Sequence, residues 1–201
     1  MGLIQDTPGL SAHLAAGEAV DHEHPVVREA AARLAKGVVD SRDHAHDYAR
    51  AAHTFVRDAI PHAQDAGDPR VTWRASDVLR QRTGICHAKA HALAALLRAE
   101  GIPAALCRQR LTQDGGGGHV VHGPVAVRLD GTWHRQDPRG DKPGLDAQFS
   151  LTGERPAFVP DPKSSEVDYP VLYAEPHPAV LAALKAAPDR PRLWQSLPDA
   201  L

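Results

Sequence analysis

Residues 86–101, CHAKAHALAALLRAEG, constrain the fold more than any other stretch of this chain. The run follows Gly84, has helical periodicity, and closes at Gly101 with Pro103 just beyond. Its apolar residues Ala90, Leu93, Ala94, Leu96 and Leu97 cover more than one face, and most of the rest are alanines. A helix apolar on several sides cannot lie on a surface, so other elements have to enclose it. After it the period changes from helical to alternating. Residues 104–111 read as a strand, and 120–129 with 132–137 as a hairpin about the Asp130-Gly131 turn. The tract DGGGG at 114–118 reads as a flexible connection. No helix and no Lys-Ser/Thr pair follows it, so it is not a phosphate cradle.

The elements that enclose this helix are sought upstream. Residues 26–37 read as a helix with Pro25 ahead and Gly37 at its end. A second helix is expected from about Asp43 to Ile60, with Tyr48, Ala52, Phe55, Val56 and Ala59 as its apolar stripe and Pro61 as its stop. Residues 62–72 form a polar loop. Ser76 or a near neighbour is expected to cap a short helix, DVLRQR, that ends at Gly84. From Lys142 onward come ten of the chain's 17 prolines, with one helical stretch at 178–187. That density argues against a second domain. It implies a core over 1–141 and a proline-rich extension over 142–201 packed on it, in an α+β architecture of N-terminal helices on an antiparallel sheet.

Bulk properties narrow the function. A chain of 201 residues can bury a core without disulfides, and its two cysteines, Cys86 and Cys107, make no disulfide framework. The net charge of −2 and the absence of a basic block give no nucleic-acid surface. No apolar run approaches a membrane span, and the opening MGLIQDTPGL has neither a leader pattern nor the Ser or Thr of a myristoylation motif. A cytoplasmic location is therefore expected.

The chemistry centres on Cys86. A thiol is only a few per cent ionised at neutral pH. The first turn of a helix supplies unpaired N–H groups and the positive end of the macrodipole, which favour the thiolate and can hold an oxyanion. Two partners follow in the hairpin. With a two-residue turn at 130–131, Leu129 faces Thr132, Ala126 faces Arg135 and Pro124 faces Asp137. His122 and Asp137 become diagonal neighbours, roughly 7–8 Å apart at Cα, on the face opposite Val121, Val125, Val127 and Leu129. His119 falls on that opposite face, so pleat parity selects His122. Pro124 removes a ladder donor and implies an edge or a bulge. In that chain order Cys86, His122 and Asp137 can form a thiol nucleophile, an imidazole base and a carboxylate that fixes its tautomer.

The pattern ASDVL, then GICHAKAHALAALLRAEGIPA, then HGPVAVRLDGTWHRQDP resembles the transglutaminase-like superfamily over roughly residues 26–140, most specifically over 75–137. The resemblance implies a papain-like core with Cys86 as nucleophile, His122 as general base and Asp137 as orienting carboxylate. It implies attack of a thiolate on a peptide, protein or small amide carbonyl, a thioester, and resolution by water or an amine, with no cofactor. Where many members carry an aromatic residue two after the histidine, this chain has Pro124. No EF-hand-like spacing accompanies the pattern, so no calcium dependence is expected. Trp73 and Gln81 are candidates for an acyl pocket or a second oxyanion donor, with core packing the favoured role for Trp73 and a solvated side chain for Gln81.

Two other readings stay open. One is a catalytically silent module of the same fold that binds a peptide or carrier protein. The other is a metal-dependent hydrolase on His87 and His91, four apart on one helix face. That reading lacks the glutamate of a zinc-hydrolase motif, since Ala88 stands there, and lacks a third ligand.

Overall fold

The computed structural model describes residues 2–39, 41–113, 118–140 and 144–201. The expected Gly-tract connection, apart from Gly118, and the expected boundary between core and extension at 141/142 fall outside the described residues. Four helices come first: α1 (Pro25–Lys36), α2 (His44–Ala59), α3 (Ala75–Gln81) and α4 (Cys86–Ala99). They are preceded by a two-residue strand, β1 (Ile4–Gln5), and followed by β2 (Ala104–Thr112), β3 (His119–His122), β4 (Val125–Leu129) and β5 (Thr132–Gln136). The last part of the chain contributes β6 (Val167–Tyr173), α5 (Pro178–Ala186) and α6 (Arg190–Ser196).

Every residue of α4 from Cys86 to Arg98 is buried, as its alanine-rich sequence requires. α1, α2 and α3 enclose it on one side, and the sheet closes the other through Leu106, Val125, Val127 and Leu129. The two cations on α4 are buried with it and are held by backbone carbonyls. Lys89 Nζ donates to Arg57 O at 3.2 Å and Ile60 O at 2.5 Å, so it caps the carbonyl end of α2. Burial lowers its pKa to about 7. The Arg98 guanidinium donates to Ala15 O, Ala104 O and Ala174 O, which joins the lead-in segment ahead of α1, the start of β2 and the end of β6.

Helix boundaries follow local chemistry. Pro25 opens α1 and Gly37 closes it, while Asp43 caps α2 through the His46 N–H. α3 departs from expectation at both ends. Ser76 lies inside its first turn instead of capping it, and Asp21 of the lead-in accepts both the Ser76 N–H (3.0 Å) and its hydroxyl (2.5 Å). The helix ends at Arg82 in the left-handed conformation (φ 54°), so Gly84 is not its cap. A Cβ on Gly84 would meet Ala88 Cβ and Thr72 Oγ1 at 3.1 Å, and close packing explains the glycine.

Among the described residues the strands form one sheet in the order β1-β6-β2-β4-β5, with β3 also on β2. The hairpin register is the one the turn implies, with Leu129 opposite Thr132 and Ala126 opposite Arg135. The strand expected at 120–129 is interrupted at Gly123-Pro124, where proline has no N–H for the ladder. Pairing with β2 nevertheless keeps step across the break, from Leu106 opposite Val125 to Gln109 opposite His122, and the Cys107 N–H donates to Pro124 O at 2.8 Å.

The late residues do more than cover the core, because β6 inserts between β1 and β2. Pro170 lies within β6, and the β2–β6 register shifts between Leu106 and Arg108, opposite that part of β6. This irregularity is how a proline is tolerated in an interior strand.

Candidate active site

Three segments meet at the start of α4. Cys86 is its first residue, 9% exposed, with His122 (4%) and Asp137 (1%) packed beside it. His122 Nε2 donates to Asp137 Oδ2 at 2.7 Å. The Cys86 thiol lies close enough to the His122 side chain and the Gly123 N–H for both to lower its pKa. With Nε2 committed to Asp137, His122 has Nδ1 left to face the sulfur. The structure thus brings together the three residues that the sequence singled out, in the order thiol, imidazole, carboxylate.

Asp137 is fixed from several directions. Besides His122, its Oδ2 accepts the Ala157 N–H at 3.0 Å, its Oδ1 accepts the Arg139 N–H at 3.0 Å, and its carbonyl accepts His53 Nε2–H at 3.0 Å. Electrostatics follow from this geometry. Burial penalises the Asp137 carboxylate, but the His122 charge and the hydrogen bonds outweigh it and hold the carboxyl down at about 2. Burial likewise opposes charge on His122, yet Asp137 and Cys86 together push it up to about 10. Burial alone would raise the Cys86 thiol. The His122 charge, its hydrogen bond and the Gly123 N–H reverse this, so the thiol lies below its ordinary value. Both directions favour the charged forms, thiolate and imidazolium.

The backbone N–H of Cys86, expected to await an oxyanion, donates to His62 Nε2 at 3.1 Å. His62 is held there by a bridge between its own backbone and Gly84, and burial lowers its pKa to about 3, which keeps the ring neutral. Its Nδ1 faces Asp65 Oδ2 at 4.0 Å, and Asp65 in turn accepts the Arg139 guanidinium. Cys86 therefore has the His122–Asp137 pair beside its sulfur and a second, neutral histidine on its nitrogen. Sequence reasoning missed His62, which follows a helix-stopping proline in a polar loop and has no periodic signal.

The remaining candidates lie elsewhere. Trp73 packs in a separate apolar cluster with Ala63, Ile85 and α5–α6, flanked by Arg74 (4.2 Å) and Lys185 (4.9 Å). It touches the cysteine's neighbour, and core packing accounts for it. Gln81 ends α3 half-buried, and its side chain makes no hydrogen bond among the described residues. His119 spans Arg110 and Ser164 O, away from the sulfur. Cys107 is buried, with its thiol pushed up to about 12 by desolvation, and is a structural thiol.

The His87/His91 metal reading does not survive the geometry. His87 Nε2–H donates to Val121 O at 2.9 Å and His91 Nδ1–H to Trp73 O at 2.8 Å, so the rings are fixed on different carbonyls. Burial holds the two at about 3 and about 4, both neutral. Among the described residues no group of three His, Cys, Asp or Glu side chains converges as a ligand set.

His87 explains Gly123. A Cβ there would approach His87 Nδ1 to 2.6 Å while the ring is locked by Val121. Gly123→Ala is expected to cost about 1–3 kcal/mol, read as a lower urea midpoint at unchanged slope.

The chain belongs to the transglutaminase-like superfamily, whose model matches residues 32–138. Among solved structures, a candidate cysteine protease from Cytophaga hutchinsonii is 19% identical with a TM-score of 0.52, over 67% of this chain and 43% of that one. The periplasmic domain of TgpA from Pseudomonas aeruginosa is 21% identical with a TM-score of 0.45, over 63% of this chain and 45% of that one. The chain spans less than half the length of either, and the likeness is one of fold. No curated protein matches it. Among the described residues no helix is long and apolar enough to cross a membrane.

Proposed function

We propose that this protein is a thiol-dependent amide or peptide hydrolase or acyltransferase that works through a thioester on Cys86. The observation that carries this reading is His122, hydrogen-bonded to Asp137 and packed beside the buried Cys86 thiol. His122 takes the thiol proton, and the thiolate attacks the carbonyl carbon of a peptide, protein or small amide. The carbon–oxygen π pair moves onto oxygen, and the Cys86 N–H passes from His62 to that oxyanion. As the tetrahedral intermediate collapses, the C–N bond breaks and His122 gives its proton to the departing amine. Water or a second amine then attacks the thioester, loses its proton to His122, and releases Cys86. Asp137 keeps the imidazole in the tautomer that can accept the thiol proton.

The test is direct acylation. The protein is incubated with peptides, glutamine amides and thioesters, and the mass of its tryptic peptides is measured. An acyl increment on the Cys86 peptide, absent from a Cys86→Ala variant, is expected. No adduct with any donor, together with iodoacetamide alkylation of Cys86 at an ordinary thiol pKa, would overturn the reading in favour of a silent binding module.

A further inference from the structure

Asp137 is held in part by a segment that the family match does not reach. The matched residues stop at 138, yet the carboxylate oxygen that accepts the His122 Nε2–H also accepts the Ala157 N–H at 3.0 Å. The next residue, Phe158, is half-buried, and its ring meets the His122 imidazole edge to face, with centroids 5.2 Å apart and planes at 83°. The Arg139 guanidinium lies 5.8 Å from the same ring, on a residue whose own N–H binds the other Asp137 oxygen.

This stretch lacks regular structure but is tied down. Gln136 exchanges two hydrogen bonds with the Ser150 backbone, at 2.7 and 3.1 Å. Glu154 pairs with Arg135 at 2.6 Å, and Arg155 with Asp146 at 2.6 Å. A segment so anchored presents Ala157 and Phe158 in one place. There the aromatic edge contact orients the imidazole, and the ring keeps water from the His122–Asp137 bond.

We infer that Ala157 and Phe158 are positioning residues of the thiol site. Ala157 fixes the carboxylate through its N–H, and Phe158 shields and orients the imidazole. This rests on the thiol mechanism proposed above, and it makes the proline-rich part of the chain a component of that site. The ionisable groups facing His122 are Cys86, Asp137, His62 and His87, with Arg139 beyond Phe158. Replacing Phe158 removes none of them.

The experiment compares wild type, Phe158→Ala and Phe158→Leu in the full chain. Three quantities are measured: the pH midpoint of iodoacetamide alkylation at Cys86, kcat and KM with the acyl donor that labels Cys86, and the melting temperature. Phe158→Ala is expected to lower kcat about tenfold with KM within about twofold. It should also move the alkylation midpoint up by about one pH unit, and Phe158→Leu, which keeps the cover, should recover most of both. A Phe158→Ala protein with the wild-type midpoint and kcat overturns the inference and leaves the thiol mechanism standing. So does a loss that Phe158→Leu shares in full at an unchanged melting temperature. An ordinary thiol midpoint and no acyl adduct in the wild type overturn the mechanism itself.

Discussion

Asp137→Asn is expected to slow acylation of Cys86 by about 10³- to 10⁴-fold while leaving the fold in place. The buried carboxylate accepts from His122 Nε2 and two backbone N–H groups. An amide in its place has one acceptor oxygen; turned to the Arg139 N–H, it puts the NH2 where Oδ2 stood, against the imidazole and the Ala157 N–H. That NH2 requires a lone pair on Nε2. The imidazole proton moves to Nδ1, the nitrogen facing the sulfur, and His122 can no longer accept the thiol proton. Loss of the negative charge also removes the largest influence that raises His122, so the thiol climbs back toward its ordinary value.

The same substitution has a signed pH signature in stability. His122 is raised from 6.5 to about 10, so its contribution is fully present below 6.5 and drains away as the pH rises to about 10. Asp137 is lowered from 3.8 to about 2, so its contribution is present above 3.8 and is lost as the pH falls toward 2. The gap in urea midpoint between wild type and Asp137→Asn should therefore be widest between 3.8 and 6.5. A gap that stays flat across the pH range would show that the pair is not charged in the folded state.

Arg98→Ala is expected to be the most destabilising single change outside the site, by about 3–5 kcal/mol. Arg98 is 3% exposed and makes hydrogen bonds of 2.7–3.2 Å to three backbone carbonyls from three parts of the chain. Alanine leaves Ala15 O, Ala104 O and Ala174 O without this donor and opens a cavity beside α4. Burial lowers the guanidinium to about 10, so it remains charged at neutral pH. Arg98→Lys should fall between the two, because a single ammonium cannot span the fork. Urea titration reads both, with a shifted midpoint and unchanged slope if the fold persists.

Local rules made some features legible and left others hidden. The enclosure of α4 follows from its composition, and the β4–β5 register follows from the Asp130-Gly131 turn, because both are decided by near neighbours in sequence. The meeting of Cys86, His122 and Asp137 could be read because parity, turn geometry and a helix start agree. β6 was hidden by Pro170, which argues against a strand until the register shift that accommodates it is seen. Ser76 suggests a helix cap on its own, but Asp21, 55 residues away, accepts its hydrogen bonds and makes it an interior residue instead. His62, Ala157 and Phe158 reach the site through tertiary contacts alone, which no local period records.

The placement of β6 also bears on how the chain comes off the ribosome. The flank of β2 that β6 occupies stays open until residue 173 has emerged, some sixty residues after β2 itself is complete. During that interval the nascent protein carries an unpaired edge of mostly buried-type side chains, a surface prone to pairing with a neighbouring chain. Expression yield should therefore suffer most in truncations that stop just short of β6.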